Sequence, residues 1–568
     1  MYQPSHFIPV DLTIDSWNDL KPYFDKLINT EVTNTDDLSQ LIVHYSETLS
    51  VFHEKNAWSY INMSRETDNQ KYVDRYELFA TKIGPELEKA ANTVEKMIVT
   101  NPAFADLPDA RFGQFKKKLK RELELYREQN VELSAEISKH STKYDQLTGG
   151  LMVMLDGEEM PLPKAAVRLL SADREKRKET WLAIAEKRYS IKEPADQIYT
   201  DMLKLRINIA ENAGYSNFRD FAHDRLQRFD YTPQDAIDFQ NAIEEHIVPL
   251  ARNIANKHRI KLGIAPDDYR PWDVLGEPKG QEALKPFNTG ADLLKQAISI
   301  FGEIHPQFGK NLQAMESANL FDLESRKGKA PGGYNYGLET TGMPFIFMNA
   351  AGTQRDVVTM CHEGGHAMHT FLTNDESLIH YRDTPAEMAE TASMSMELMT
   401  AGLWNKFYDS QDHLRARREH LEGIITFFPW CATVDAFQHW VYLNPDHTVS
   451  ERDDYFDELN TRFMTNNTNW EGYDHYRRNG WQRQLHIFGM PFYYVEYGIA
   501  QLGALQVFRN FKKDPKAALE GYIKGLSLGS SRPLPEVWEA MGIKFDFSAE
   551  PIKELVEFVQ QELASLED

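Results

Sequence analysis

Apolar residues recur at three- and four-residue intervals along most of this chain, the spacing of amphipathic helices. From residue 15 to about 215 the pattern is one helix after another. The stretch from Phe112 to Lys139 shows apolar residues at helical spacing among dense charges. Its charge run KKKLKRELELYRE reads as a solvated face laced by i,i+4 ion pairs. A similar stretch runs from Ala172 to Ala213 and stops at NAGYSNF, 212–218. The texture changes between about 262 and 290, where LGIAPDDYRPWDVLGEPKG is rich in Pro, Gly and Asp and reads as loop. The region 318–350 is the least helical. Phe345-Ile346-Phe347-Met348 predicts a strand, and Gly332-Gly333-Tyr334 a tight turn leading into another. Helices resume after 355, interrupted by an acidic polar loop at 444–455 and a break from Gly529 to Pro535. The last helix is expected to start near Ser548, with Pro551 in its first turn. The expectation is a mainly α protein with a small β-sheet and no internal repeat.

Composition narrows the function classes. A chain of 568 residues is too long for one simple core. A hydrophobic fraction of 42% and a charged fraction of 26% are those of an ordinary globular protein. The net charge of −23 disfavours nucleic acid, which needs a basic footprint, and is otherwise consistent with plain solubility. Cys361 and Cys431 are the two cysteines, too few for a disulfide framework, so a reducing compartment fits. MYQPSHFIPVDLTIDSW lacks the basic and apolar run of a signal peptide. No apolar stretch approaches the roughly 20 residues of a membrane helix. The expected setting is the cytoplasm, with no membrane partner.

The strongest chemical signal is His362-Glu363-Gly364-Gly365-His366, inside the helical segment QRDVVTMCHEGGHAMHTFL. Histidines four apart project from one helix face, one turn above each other. Both imidazoles can then reach one zinc ion at about 2.0–2.1 Å. Glu363 lies to one side, where it can accept a proton from the attacking water without being a ligand. Two glycines inside such a helix each cost about 1 kcal/mol relative to alanine, so a close approach of another backbone or of a substrate is expected there.

A catalytic zinc takes three protein ligands and keeps one position open. A third histidine six residues after the second is excluded, because Leu372 stands there. His369, one turn beyond His366, is either a hydrogen-bond partner behind the metal or an ordinary helix-surface residue. A carboxylate from DTPAEMAETASMSMELM, 383–399, is the alternative third ligand. Thr384-Pro385-Ala386-Glu387 resembles a capping box with proline at the first helical position. In that helix Glu390, Ser393 and Glu397 share one face. Glu390 is expected as the ligand and Glu397 as the group orienting a ligand histidine. Glu387 competes, unless its position serves only capping. Farther on, in HIFGMPFYYVEYG, a helix start at Gly489 and Pro491 puts Tyr494 and Tyr497 on one face with Tyr493 beside them. Phenols and His486 are candidate donors to a developing oxyanion; an aromatic core stripe is the competing reading.

HEGGHAMH, the Glu390-Ser393-Glu397 spacing, HIFGMPFYYVEYG and GKAPGGYNY with PFIFMNAAGTQRD together resemble the thimet oligopeptidase and oligoendopeptidase F family, closer to the latter. The resemblance runs from about 200 to 545. It implies a two-lobed helical metallopeptidase with a deep substrate channel, a lobe at 1–190 and a catalytic domain at 191–568. One Zn2+ per chain is implied, with His362, His366 and Glu390 as ligands and Glu363 as general base. His486 and one or two of Tyr493, Tyr494 and Tyr497 are implied at the substrate or oxyanion, Tyr497 first and Tyr494 next. Gly332, Gly333 and Tyr334 are implied in substrate binding. The implied activity is cleavage of internal bonds of short peptides, with the oligomeric state left open. A non-catalytic helical peptide-binding protein with a structural metal is the alternative, and the intact Glu363 argues against it. A zinc hydrolase for some other amide is a third reading.

Overall fold

The computed structural model describes residues 6–326, 328–330 and 332–566. The first five residues of the N-terminal stretch and Pro331 of the glycine-rich segment therefore lie outside the described residues. The chain is mainly helical with two small sheets, as its periodicity predicts. Its residues divide into two compact units, neither continuous in sequence: 1–124 with 285–413 and 503–545, and 125–284 with 414–502 and 546–568. Among the described residues no helix is long and apolar enough to cross a membrane.

The first unit is organised around the helix Thr35–Arg65, whose side chain of Asn34 caps its start by accepting from the backbone of Asp36 and Asp37. Leu38, Leu41, Ile42, Tyr45 and Leu49 from this helix join Phe24, Ile83, Ile98, Phe115 and Leu119 in one apolar core. Tyr381 enters the same core, and its hydroxyl accepts from the Phe115 backbone at 3.1 Å and donates to the Arg111 carbonyl at 2.7 Å. The buried phenol thereby keeps both its donor and its acceptor partnered.

Three strands lie in the same unit: β3 (Phe321–Glu324), β4 (Tyr334–Leu338) and β5 (Met343–Ala350); a separate hairpin of β1 (Met152–Leu155) and β2 (Glu158–Pro161) belongs to the second unit. The order is β3-β5-β4, with β5 parallel to β3 and antiparallel to β4. The predicted strand Phe345–Met348 is this central one, apolar on both faces because both are covered. Its hairpin with β4 is tied down by Glu54 of the long helix. That buried carboxylate accepts from the backbone of Thr340 at 2.6 Å and Thr341 at 2.8 Å, and from their hydroxyls at 2.5 and 2.6 Å.

The second unit is built on the helices Lys192–Asn212 and Ser410–Leu443, the latter shared in sequence with the first unit at its start. The helical spacing from Phe112 to Lys139 falls on the end of Asp109–Leu125 and the start of Glu128–Gly149. Arg127 takes an extended conformation at the break, and its guanidinium caps the carbonyls of Asn212 at 3.1 Å and Ala213 at 3.3 Å. Within 444–455 the polar loop ends early, since a helix starts at Val449. Thr448 and Glu451 form a capping box there, so the acidic texture belongs to a helix start.

Replacing Glu54 with alanine leaves four hairpin donors without their buried acceptor. We expect a loss of about 2–4 kcal/mol, at the cost of an unsatisfied buried group, read as a lower midpoint in chemical denaturation.

Candidate metal centre

The helix Gln354–Thr373 starts directly after β5. Thr353 and Asp356 form its capping box, and Asp356 also accepts from the Ala351 backbone at 2.9 Å, which sets where the helix leaves the sheet. Two turns later His362 and His366 present their Nε2 atoms 3.2 Å apart. The second helix, Ala386–Thr400, brings Glu390 Oε2 to 3.3 Å from His362 Nε2 and 3.8 Å from His366 Nε2. Three donor atoms thus form a triangle. Tetrahedral zinc with ligand distances of about 2.0–2.1 Å requires donor–donor separations of about 3.3–3.4 Å. Two edges of the triangle match that and the third is slightly long. Among the described residues, this is the group of histidine and acidic side chains that converges closely enough to hold a metal ion.

The glycines explain how the helices come so close. A Cβ on Gly365 would sit 2.6 Å from the Ser393 Cα and 2.9 Å from the Ala392 carbonyl, both on the Glu390 helix. On Gly364 it would sit 2.3 Å from the tip of the Phe301 ring. The expected close backbone approach is therefore to the helix that carries Glu390.

Around the triangle the polar groups are arranged to hold it. Glu397 Oε1 lies 2.6 Å from His362 Nδ1, on the ring side away from Glu390, and so orients that imidazole. Ser393 donates to the Glu390 carbonyl at 3.0 Å and to its Oε2 at 3.3 Å. Burial opposes charge on His362, but its hydrogen bonds to Glu390 and Glu397 hold its pKa well above the ordinary value. Burial, with His362 adding to it, pushes His366 down to about 4 against the pull of Glu390. Burial tends to raise Glu390 as well, yet the hydrogen bond from His362 and both histidine charges keep it below the usual carboxylate value. The field of these carboxylates favours positive charge where the three donors meet. Glu363 is buried beside them, and burial raises its pKa to about 7, with Glu390 and Glu397 adding and His362 opposing.

Other expected residues fall in different places. His369 is buried, and its hydrogen bond goes to the Leu526 carbonyl, so it does not join the triangle. The capping box at Thr384 does not form. Pro385 itself occupies the N-cap, which leaves Thr384 one residue too early. Glu387 is buried in the first turn and is not part of the converging group. Tyr334 stacks on Phe347 with centroids 4.7 Å apart, and its hydroxyl pairs with Ser64 at 2.7 Å. Its neighbour Asn335, on the opposite face of β4, donates to the Glu363 carbonyl at 3.1 Å. Nothing in the sequence singled out Asn335. Gly332 has a positive φ of 97° with open space at its Cβ position, while a Cβ on Gly333 would press on the Phe347 carbonyl.

In the second unit His486 sits inside a ring of phenols. Its centroid is 6.2 Å from Tyr493, 5.1 Å from Tyr494 and 5.8 Å from Tyr497, the first stacked and the others edge-on. Burial raises the Tyr494 pKa, so its hydroxyl stays protonated. The short helix Leu485–Gly489 that carries His486 is held by buried Arg206, which donates to the Ile487 and Phe488 carbonyls and to the Tyr442 hydroxyl.

The model of Peptidase family M3 matches residues 168–557, and that of the Peptidase M3 N-terminal domain matches 7–126. The chain belongs to Peptidase family M3. Among M3 relatives it is 22% identical to the group B oligopeptidase PepB of Streptococcus agalactiae over 66% of this chain and 61% of that protein. It is 23% identical to oligopeptidase PepF of Bacillus subtilis over 59% of this chain and 49% of that protein. The chain thus matches less than two thirds of the length of these M3 relatives. Its fold is similar over its whole length to a structure of PZ peptidase A with an inhibitor, at 26% identity, TM-score 0.90 and 98% coverage of that chain. A structure assigned as oligoendopeptidase F is similar at 25% identity and TM-score 0.90, with 99% of that chain covered.

Gly365→Ala should force the two M3 helices apart. We expect a loss of about 2–3 kcal/mol from overpacking, together with loss of bound metal in elemental analysis. Glu397→Ala should leave the fold intact and weaken metal affinity about 10- to 100-fold, as loss of a ligand's orienting partner does, measured by competition with a chromogenic chelator.

Proposed function

We propose that this chain is a zinc-dependent oligoendopeptidase that hydrolyses internal bonds of short peptides. The observation that carries this reading is the donor triangle of His362, His366 and Glu390, two of whose three edges match the corner spacing of a tetrahedral zinc site. The donor set of two imidazoles and one carboxylate is that of a catalytic zinc with an open fourth position. When bound, zinc supplies Lewis acidity that polarises a carbonyl and lowers the pKa of water.

The chain's own residues supply the remaining steps. Glu363 is not among the converging donors and has a pKa raised to about 7 by burial. It is the general base that takes the proton of the attacking water and hands it to the leaving amine. Asn335 donates to the backbone carbonyl of Glu363 and ties β4 to the helix at that residue. His486, Tyr497 and Tyr494 are the donors that stabilise the oxyanion, and burial keeps the Tyr494 hydroxyl protonated. Gly332, Gly333, Tyr334 and Tyr493 contribute to peptide binding. The names of the relatives, oligopeptidase and oligoendopeptidase, support peptides as the substrate class. Both cysteines are free and buried, in keeping with the cytoplasm as the working compartment.

Glu363→Gln tests the reading directly. The variant should bind zinc with the parent's stoichiometry and lose about 10³-fold in kcat on a quenched peptide, the middle of the range for general base catalysis. Cleavage at the parent's rate by the zinc-loaded variant would overturn it. Chelation should abolish cleavage, and added zinc should restore it.

A further inference from the structure

We propose that Trp430 and Gln484 are positioning residues that hold His486 in its Nε2–H tautomer, so that the ring presents a hydrogen-bond donor to a substrate oxygen. The argument rests on a chain of three groups within the second unit. Trp430 projects from the helix Ser410–Leu443. Its indole is flanked by the Arg483 guanidinium, 4.6 Å from the ring centroid, and by the Phe456 ring, roughly perpendicular to it with centroids 6.1 Å apart. From that clamp the indole N–H donates to Gln484 Oε1 at 3.0 Å. Gln484 Nε2 in turn lies 2.6 Å from His486 Nδ1.

Donor and acceptor rules then leave one arrangement. An indole nitrogen can only donate, so the Gln484 oxygen must face Trp430 and its NH2 must face the histidine. An amide NH2 can only donate, so His486 Nδ1 must carry the lone pair. In a neutral imidazole the single proton is therefore on Nε2. Turning the amide over would bring two donors together at 3.0 Å on one side and force a proton onto Nδ1 on the other. The backbone limits the ring's position as well, because Arg206 holds the carbonyls of Ile487 and Phe488 just after it. The assignment was hidden from the sequence, since Trp430 and Gln484 are 54 residues apart.

The tautomer follows from the geometry alone; its value to the reaction rests on the reading that His486 contacts substrate. Two variants probe it. Gln484→Met keeps the side-chain length and removes the donor to Nδ1. Trp430→Phe keeps an aromatic ring and frees the amide to turn; because this indole also borders the Tyr494 hydroxyl, Gln484→Met is the cleaner of the two.

Full-length zinc-loaded protein with 15N-labelled histidine is examined by long-range proton–nitrogen correlation, with His486 assigned by its absence in His486→Phe. The parent should show a bare Nδ1 and a protonated Nε2. Both variants should show averaging between tautomers. On a quenched peptide Gln484→Met should lower kcat about five- to tenfold, a part of the roughly 10²–10³ that a removed oxyanion donor costs. KM should stay within about twofold, and in the His486→Phe background the same change should have no further effect, as residues acting through one another require. A protonated Nδ1 in the parent overturns the proposal. So does an unchanged tautomer in both variants, or an equal loss of kcat in the His486→Phe background. If His486→Phe itself cleaves like the parent, its substrate role falls and the positioning role falls with it. If His486→Phe is impaired but Nδ1 is protonated, the positioning claim alone falls.

Discussion

The candidate metal centre depends on how near two helices can come. Gly365 lets the backbone of the histidine helix rest on Ser393 and Ala392 of the glutamate helix, at distances that any side chain would prohibit. Glutamate is short, and Glu390 meets two imidazoles that leave the opposite helix one turn apart. Moving the helices apart by the width of a methyl group would open every edge that involves Glu390. The penalty for glycine inside a helix, about 1 kcal/mol at each position, is thus the condition for assembling a carboxylate and two imidazoles from separate elements. Gly364 acts similarly on the neighbouring face, where the Phe301 ring fills the space a side chain would take.

Electrostatics and packing act together at this contact. Glu363, Glu390 and Glu397 are all buried within a short span, an arrangement that self-repulsion and desolvation would ordinarily disfavour. Hydrogen bonds from His362 offset part of that cost for Glu390 and Glu397. Glu363 keeps a raised pKa, because burial outweighs the pull of His362. Within one cluster of acids Glu390 is therefore held anionic while Glu363 is suited to exchanging a proton near neutrality. That separation is what a site with both ligand and base functions needs.

Much of this was legible in the sequence, for reasons that are local. The helical period alone places His362 and His366 on one face, and the same period picks out Glu390, Ser393 and Glu397. Two adjacent glycines in a well-formed helix pointed to a close approach. Errors came where a neighbour overrode local pattern. Pro385 took the N-cap and displaced the expected box by one residue. The start at Val449 was missed although Thr448 and Glu451 form a standard capping pair. Asn335, Arg206, Trp430 and Gln484 had no local signature, since each acts on a group distant in sequence.

The two units use buried polar groups for the same purpose. In the first, Glu54 fixes the β4–β5 hairpin and Asn335 pins the carbonyl of Glu363. In the second, Phe492 adopts a positive φ of 68°, a strained conformation for a bulky residue. Gln438 accepts from its N–H at 2.8 Å and Arg228 donates to its carbonyl, while the same guanidinium pairs with Glu496 one turn into the next helix. The strain is held immediately before Tyr493 and Tyr494, where the helix bearing the phenols begins. Arg206 secures the other side of the loop, next to His486. Charged side chains that end on backbone carbonyls contribute about 1.5–3 kcal/mol per hydrogen bond, and they leave the backbone one position. The orientation of the phenols and of His486 is therefore set before any ligand arrives, which is the condition under which donors stabilise developing charge without reorganising first.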